Sequence, residues 1–282
     1  MILLASTHAA SVLEQLRGGT TARVSLDLGL SETEARAGGG GVRLSRDVTV
    51  SLDDLREIAD CPDAVFSVSP DGVRKIARFS EATGRSYALR PTSTWPALEI
   101  GGILMHRVKD TDPKTDAEAR LALISPLRGA VLDTCCGLGY TAIVAARTAP
   151  VVTTVEKDAT VLEIARLNPY SRGLFEDARI DLVHGDSTEL VRGLGDAGLD
   201  AVVHDPPTLS IAGEMYADAF YEQLYRVLRP GGRLLHYTGA PGSRHRRVQL
   251  PDRVARRLKR IGFGRVRLDR GTSCVVAARP RA

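Results

Sequence analysis

The 282-residue sequence is poor in the features that define several classes of protein. It has four cysteines and no Cys-x-x-Cys spacing, so it indicates neither a zinc site nor a disulfide framework. No apolar run approaches the roughly 20 residues that span a membrane. Aromatic residues make up only 5% of the chain, and tryptophan occurs once. From these absences we expect a cytoplasmic protein with no metal site and no membrane partner.

What is present is enough apolar sequence for a full core. Hydrophobic residues make up 43% of the chain and charged residues 26%, which is typical of globular proteins. The length fits one large domain or two modest ones. The formal net charge is +4, which permits a nucleic-acid partner without requiring one.

The first third of the chain, residues 1–95, predicts a small α+β domain. The pattern indicates a short helix capped by Ser6, strands over 22–28 and 42–50, a helix capped by Ser51, and a hairpin over 65–80. A winged-helix-like module fits the same pattern. No chemical constellation stands out, so a lid and a substrate-recognition domain are both open. Residues 96–115 are expected to form a linker to a second domain, residues 116–282.

The most informative stretch lies at residues 130–147. An apolar run ends on Asp133, a short turn carries Gly137 and Gly139, and an apolar helix begins at Thr141. Strand, tight turn and helix are the first unit of a doubly wound nucleotide-binding sheet. Glycine is needed where the loop bends sharply and lets a ligand approach backbone N–H groups. The spacing alone is weak, because it also occurs by chance.

Later segments repeat the alternation of strand and helix. The pattern predicts a seven-stranded, mainly parallel Rossmann-like sheet that ends in a β-hairpin. Glu156 ends the second strand, 23 residues after Asp133, about where a nucleoside site places a carboxylate on ribose hydroxyls. Asp186 and Asp205 follow the next two strands. Because ligands bind at the carboxyl ends of such strands, we expect these loops to form one site.

Five motifs resemble those of the class I S-adenosylmethionine-dependent methyltransferases, over about residues 115–280. They are Val-Leu-Asp-Thr-Cys-Cys-Gly-Leu-Gly (131–139), Thr-Val-Glu-Lys-Asp (154–158), His-Gly-Asp-Ser (184–187), His-Asp-Pro-Pro (204–207) and Leu-Arg-Pro-Gly-Gly-Arg-Leu (228–234). Within that class the whole chain resembles a group of predicted archaeal methyltransferases. A nicotinamide dinucleotide enzyme is disfavoured, because Asp-Pro-Pro and Arg-Pro-Gly-Gly do not belong to its pattern.

The resemblance implies S-adenosylmethionine as the cofactor. It places Gly137 and Gly139 against the methionine portion, Glu156 on the ribose and Asp186 near the adenine amino group. The other residues expected around the cofactor are Asp133, Thr134, Cys135, Lys157, Ser187 and Asp205. The family usually has glycine at the position of Cys135, so this loop is expected to be less open.

Asp205-Pro-Pro indicates the acceptor chemistry. In the methyltransferases that modify exocyclic amino groups, an acid or amide is followed by Pro-Pro and an aromatic residue. The acid and a proline carbonyl accept hydrogen bonds from the amino group, and the aromatic ring stacks on the base. Asp205, Pro206 and Pro207 match and are the predicted catalytic residues, whereas Thr208 replaces the aromatic residue. The candidate substrate residues are Tyr170, Thr208, Tyr216, Tyr237, Arg244 and Arg246.

The favoured hypothesis from the sequence is methylation of an amino nitrogen of an RNA base. The arginines at 244, 246 and 247 follow strand five at the edge of the expected site, where phosphates would suit them. A small-molecule methyltransferase and an aminopropyl-type transferase on the same fold are alternatives. A non-enzymatic RNA-binding module is less favoured, since it would not need the loops of Glu156 and Asp205.

Overall fold

The computed structural model describes residues 1–209, 211–239 and 250–281. The chain divides into two compact units. One unit comprises Met1–Pro113 together with Arg166–Tyr170, and the other comprises Lys114–Ala165 and Ser171–Ala282.

The first unit consists of short antiparallel strands with helices between some of them. Its elements are β1 (Ile2–Ala5), α1 (Ser6–Leu16), β2 (Thr21–Val24), β3 (Thr33–Gly38), β4 (Gly41–Arg43), β5 (Thr49–Ser51), α2 (Leu52–Ala59), β6 (Val65–Ser69), β7 (Gly72–Lys75), β8 (Ala77–Ser80), β9 (Arg85–Arg90), β10 (Ala97–Ile100) and β11 (Ile103–Leu104). Across its described residues the strands form three sheets, ordered β1-β6-β7, β2-β3-β4-β5 and β11-β10-β9-β8.

The structure confirms some of the elements predicted for this unit and contradicts others. The Ser51 hydroxyl accepts a hydrogen bond from the Asp54 N–H at 2.9 Å, which confirms the predicted cap of α2. The hairpin predicted over 65–80 is confirmed over 65–75 as β6 and β7, whereas β8 (Ala77–Ser80) pairs with β9 in another sheet. The single strand over 42–50 is wrong, because the chain turns back and β4 pairs with β5. Helix α1 begins at Ser6 itself, with Ala5 as its N-cap.

Residues 96–115 are more than a linker. Strands β10 and β11 lie within this range and extend the sheet of β9. Arg90 on β9 binds the Glu99 carboxylate on β10 through two hydrogen bonds, at 2.8 and 2.6 Å. An ion pair across neighbouring strands stabilises this register, so the antiparallel structure continues past the expected boundary at residue 95.

The second unit alternates strands and helices from α3 onward. Its elements are α3 (Pro113–Ala122), β12 (Ala130–Asp133), α4 (Tyr140–Ala146), β13 (Val151–Glu156), α5 (Ala159–Leu167), α6 (Arg172–Glu176), β14 (Ile180–His184), α7 (Ser187–Gly193), β15 (Leu199–His204), α8 (Asp218–Val227), β16 (Leu228–Tyr237), α9 (Leu250–Ile261), β17 (Gly264–Asp269) and β18 (Cys274–Ala278). Short 3-10 turns occur at Pro169–Ser171 and Gly213–Tyr216.

Within the described residues, the strands of this unit form one seven-stranded sheet in the order β14-β13-β12-β15-β16-β18-β17. The strands from β14 to β16 pair in parallel, and β18 pairs antiparallel with both β16 and β17. This confirms the predicted Rossmann-like fold with its terminal hairpin. The strand order reverses beside β12, so the ends of β12 and β15 flank the switch point where such sheets bind ligands.

Helices of this unit cover the sheet with apolar side chains. Leu132, Val202 and Leu234 on three neighbouring strands are fully buried and pack with Tyr221 and Leu224 of α8. Each such side chain stabilises the fold by about 1.5–3 kcal/mol through its removal from water. None of the helices within the described residues is long and apolar enough to cross a membrane.

Candidate active site at the carboxyl ends of the central strands

The loops after β12 and β13 are joined by one carboxylate. Glu156, the last residue of β13, accepts hydrogen bonds from the Gly137 N–H at 2.9 Å and from the Asp158 N–H at 3.0 Å. The acid that ends the second strand is thereby held against the glycine turn that follows the first. Burial raises the pKa of the Glu156 carboxyl, and the backbone N–H groups that donate to it lower it.

The loops after β14 and β15 connect to the same region. Lys157 and Asp186 form an ion pair at 2.8 Å. The Ser187 hydroxyl donates to the Thr134 carbonyl at 2.5 Å, and the Thr134 hydroxyl is hydrogen-bonded to His204 Nδ1 at 2.8 Å. Contacts therefore link the loops after β12, β13 and β14 to one another and to His204 at the end of β15, so that Gly137, Glu156 and Asp186 lie at the same edge of the sheet.

Gly137 and Gly139 have different surroundings, although both lie in the left-handed region, with φ of 55° and 79°. A Cβ at Gly137 would meet no heavy atom within 4 Å, whereas a Cβ at Gly139 would lie 2.8 Å from Leu174 Cδ2. Gly137 therefore faces open space in which a ligand can approach the backbone, and Gly139 lets α4 pack closely on α6.

We expect alanine at these two glycines to separate stability from ligand binding. Gly139→Ala should lower the free energy of unfolding by about 2–4 kcal/mol, from backbone strain plus overpacking against Leu174. Gly137→Ala should lower it by only about 1–2 kcal/mol, from strain alone. Its methyl group should instead weaken nucleoside binding by about tenfold, since it fills the open face.

Chemical denaturation and calorimetric titration with S-adenosylhomocysteine measure the two effects. If Gly137→Ala binds S-adenosylhomocysteine as tightly as the wild type does, the assignment of Gly137 to the ligand-binding face is wrong.

Asp133 ends β12 and is fully buried beneath the glycine turn. Its Oδ2 accepts hydrogen bonds from the hydroxyls of Thr141 at 3.0 Å and Thr154 at 2.9 Å. Burial raises the pKa of this carboxyl to about 7, against the lowering effect of both hydroxyls. The side chain therefore fixes the turn to α4 and β13 from below.

Asp186 acts as a helix cap and an ion-pair partner at once. Its Oδ1 accepts from the Thr188 N–H at 2.7 Å, which caps α7, and its Oδ2 faces Lys157. Burial raises the pKa of this carboxyl, but the hydrogen bonds and the lysine outweigh it, so the pKa is lowered overall. Asp186 is thus an anion near neutral pH.

The adjacent cysteines of the glycine turn are not activated thiols. Cys136 is buried, and the Cys135 thiol lies 3.6 Å from the Met215 sulfur. Burial raises the pKa of both thiols well above the usual value, and neighbouring carboxylates raise it further. A nucleophilic cysteine needs a lowered pKa, so these residues fill space in the turn.

Asp205 follows β15 and meets a residue that the sequence analysis did not single out. Arg120 on α3 donates from Nη1 to Asp205 Oδ2 at 2.6 Å and from Nε to Asp116 Oδ2 at 2.6 Å. Arg120 and Asp116 are almost fully buried, whereas the Asp205 side chain keeps 25% of its surface exposed. Burial raises the pKa of Asp205, Arg120 lowers it, and the net direction is upward.

A sequence signal for Asp116 and Arg120 exists. They lie four residues apart on α3, on the same side as the buried Ala117 and Leu121. An acid and an arginine on the apolar face of a short helix are unusual, because charged groups are rarely buried unless they are paired.

Three of the predicted substrate residues lie around Asp205-Pro-Pro. Tyr216 is buried, and its hydroxyl donates to the Pro207 carbonyl at 3.0 Å. Tyr237 has Arg120 stacked on its ring, with Cζ 3.9 Å from the centroid. The Thr208 carbonyl accepts from the Ile211 N–H in a turn after Asp-Pro-Pro.

Tyr170 belongs to the first unit rather than to the sheet unit. Its hydroxyl donates to the Leu28 carbonyl at 3.0 Å, and its ring lies 6.2 Å from that of Trp95. Arg244 and Arg246 lie outside the described residues.

A buried pair of histidines lies near the carboxyl ends of β15 and β16, and His204 immediately precedes Asp205 in the chain. The rings of His204 and His236 are 4.3 Å apart, and both residues are fully buried. His204 Nε2 donates to the Met215 carbonyl at 3.0 Å, so its Nδ1 accepts from Thr134 in the neutral form. Burial lowers the pKa of His236 to about 3 and that of His204 well below its usual value.

Because of these two histidines, we expect the free energy of unfolding to fall as the pH is lowered. Their folded-state pKa is depressed, so the unfolded chain takes up protons as pH falls below about 6.5 while the folded chain does not. Each histidine should therefore destabilise the fold by about 2 kcal/mol between pH 7 and pH 5. Buried carboxyls such as Asp133, with a raised pKa, titrate in the opposite sense, so the effect must be isolated as a difference.

The variant His236→Leu/Tyr221→Phe removes one imidazole together with its hydroxyl partner, which lies 3.0 Å from Nε2. Denaturant unfolding at both pH values should show that the variant loses about 2 kcal/mol less than the wild type. Equal losses would mean that His236 is protonated in the fold.

The donor set suits a nucleoside better than a metal. Within the described ranges, no group of three or more His, Cys, Asp or Glu side chains is placed to hold a metal ion. The open backbone face at Gly137 and the two carboxylates of Glu156 and Asp186 line the same edge. A carboxylate can accept about four hydrogen bonds, so Glu156 keeps acceptor capacity for a ribose hydroxyl beside its backbone N–H donors.

Comparison with known proteins also supports a site for S-adenosylmethionine. Residues 131–232 match a family described as "Methyltransferase domain". The uncharacterized protein MJ1233 of Methanocaldococcus jannaschii is 35% identical over 100% of this chain and 98% of its own length. Putrescine N-methyltransferase 4 of Nicotiana tabacum is 30% identical over 61% of this chain and 45% of its own length. A polyamine aminopropyltransferase of Mycobacterium tuberculosis is 35% identical over 32% of this chain and 18% of its own length.

The chain thus spans less than half the length of these last two relatives. Among solved structures, a spermidine synthase in complex with the transition state analogue AdoDATO matches with a TM-score of 0.60. It covers 74% of this chain and 76% of that chain at 18% identity, which shows a shared fold.

Proposed function

We propose an acceptor class from one premise: the chain belongs to the same family as MJ1233 and is an S-adenosylmethionine-dependent methyltransferase. The proposed acceptor is a small cationic amine, methylated on an amino nitrogen. This departs from the RNA base amine favoured by the sequence and takes up the small-molecule alternative.

The observation that carries the proposal is the charge beside the cofactor loops. Asp116, Arg120 and Asp205 form one connected group with a net charge of −1, and Asp205 is the member that keeps exposed surface. An anion at the edge of a mostly buried group attracts a cation and disfavours an anionic acceptor. A protonated aliphatic amine fits this charge directly, whereas a phosphate backbone does not.

Asp205 has the properties of a proton acceptor for an amine. An aliphatic ammonium has no free lone pair, so it must lose a proton before its nitrogen can accept a methyl group. Burial raises the pKa of the Asp205 carboxyl. The difference between this pKa and that of an ammonium, about 10, is thereby smaller. S-adenosylmethionine, when bound, supplies an electrophilic methyl group. The chain holds Asp205 beside the cofactor loops and thereby orients the nitrogen whose proton it accepts.

Two further observations support a small amine over an RNA base. Thr208 stands where base-modifying enzymes have an aromatic ring, and Tyr237 has Arg120 stacked on its ring. Two relatives, a putrescine N-methyltransferase and a polyamine aminopropyltransferase, are named for amines of this class.

Transfer of labelled methyl groups tests the proposal. The purified chain is incubated with methyl-labelled S-adenosylmethionine and either putrescine, spermidine or total RNA, and products are identified by mass spectrometry. We expect label in a methylated amine and none in RNA. Label confined to RNA would contradict the proposal and favour the base amine. Use of decarboxylated S-adenosylmethionine with putrescine, and no methyl transfer, would favour the aminopropyl-type reaction.

A further inference from the structure

Asp205 is bound by a side chain that lies outside the loops after β12, β13, β14 and β15. Arg120 comes from α3, which precedes the first strand of the sheet, and reaches Asp205 Oδ2 at 2.6 Å. We propose that Arg120 is a positioning residue for methyl transfer, which fixes the Asp205 carboxylate through one oxygen and leaves the other for the acceptor. This inference rests on the proposed role of Asp205 as proton acceptor.

The geometry leaves one side of the carboxylate available. Arg120 donates its hydrogen bond to Oδ2, one of the two carboxylate oxygens of Asp205. Asp205 also retains a quarter of its surface, in contrast to its two partners. A carboxylate held at one oxygen cannot rotate freely, so its second oxygen keeps one direction. Fixing a catalytic group before the substrate arrives lowers the entropy that the reaction must lose.

Arg120 is itself held on two further sides. Nε donates to Asp116 Oδ2 at 2.6 Å, and Nη2 donates to the same oxygen. The guanidinium plane also stacks on Tyr237, with Cζ 3.9 Å from the ring centroid. A planar fork with partners on three sides has a single orientation, which lysine could not reproduce because its ammonium is a point charge. Arg120 can therefore act as a rigid support.

Asp116 has a separate electrostatic role in this group. Arg120 alone would neutralise Asp205 and lower its affinity for both a proton and a cation. Asp116 offsets the arginine, and it raises the pKa of Asp205 where Arg120 lowers it. The carboxylates of Asp205 and Asp116 in turn raise the pKa of Arg120 despite its burial, so the guanidinium stays charged. The pair on α3 thus supplies orientation without removing the negative charge of Asp205.

The first test measures the Asp205 carboxyl directly and needs no acceptor. In protein labelled with ¹³C-aspartate, the carboxyl signal that disappears in Asp205→Asn is followed against pH. Arg120→Gln should raise the pKa of Asp205 by about 1–3 units, and Asp116→Asn should lower it. The matched control is Arg147→Gln, which breaks a half-exposed ion pair at 2.8 Å between Arg147, the C-cap of α4, and Glu118, which lies on α3 as Arg120 does. This control should leave the Asp205 signal unchanged.

The second test separates positioning from charge. Arg120→Lys keeps the charge but loses the fork, so it should leave the pKa of Asp205 close to that of the wild type. It should still lower kcat for putrescine methylation by about 10–100-fold with little change in cofactor affinity. A purely structural role would lower stability while leaving kcat of the folded protein and the carboxyl titration unchanged.

Three outcomes distinguish the inference from the proposed function. If wild-type protein does not methylate putrescine, the acceptor is wrong, and the carboxyl titration still decides whether Arg120 controls Asp205. If Arg120→Gln does not fold, Arg120→Lys and Asp116→Asn carry the test. Either full kcat in Arg120→Lys or an unchanged Asp205 titration in Asp116→Asn would overturn the inference.

Discussion

Asp205→Asn is expected to lower kcat for amine methylation by about 10²–10⁴-fold while leaving cofactor affinity within a factor of a few. Asparagine keeps the shape of the side chain and can still accept a hydrogen bond from Arg120, so the support on α3 is preserved. It cannot accept a proton at neutral pH, so the ammonium of the acceptor keeps its proton. Steady-state kinetics with putrescine and calorimetry with S-adenosylhomocysteine measure the two effects.

Asp200→Asn is the matched control for this substitution. Asp200 lies on the same strand, β15, at the end away from the cofactor loops, where it forms an ion pair with Arg229. Its loss should affect stability more than kcat. Comparable loss of kcat in both variants would mean that Asp205 acts through the fold and not through its carboxylate.

Glu156→Ala should weaken the binding of S-adenosylhomocysteine by about 100-fold. The substitution removes a carboxylate that the site offers to ribose hydroxyls, and two hydrogen bonds to a charged group contribute about 3 kcal/mol together. It also removes the acceptor of the Gly137 and Asp158 N–H groups, so the glycine turn loses its anchor. Isothermal titration gives the affinity, and thermal unfolding shows how much of the loss comes from the turn.

Glu176→Ala provides the comparison, because Glu176 is an exposed carboxylate of α6 in the same unit. We expect it to bind the cofactor as the wild type does. Wild-type affinity in Glu156→Ala would remove the ribose assignment and with it the account of the glycine turn.

The sheet could be predicted from the sequence because each strand there carries its own local signals. Short apolar runs end on Asp133, Glu156 or His204, and glycine or proline follows Asp133 and His204 within a few residues. Such runs are long enough for buried parallel strands and too short for buried helices. The antiparallel first unit was harder, since its strands are two to six residues long and many of them are half exposed. There the turn at 45–48 divided one expected strand into two.

The support of Asp205 could not be predicted, because it depends on contacts between distant parts of the chain. Arg120 and Asp205 are 85 residues apart, and nothing near either residue indicates the other. Tyr170 is the converse case, a predicted substrate residue that has a structural partner far away in the sequence. It looked available as an aromatic face, but its hydroxyl is bound by Leu28, 142 residues away. Local patterns predict elements, whereas the partners of a buried polar side chain depend on how those elements pack.

The central claim is that the loops after four neighbouring parallel strands hold one nucleoside beside Asp205. A crystal structure of the chain with S-adenosylhomocysteine tests this most directly. The account predicts ribose hydroxyls within about 3.2 Å of the Glu156 carboxylate, and the sulfur on the side of the site that Asp205 faces. A nucleoside bound away from Glu156, or with its sulfur turned away from Asp205, would contradict it.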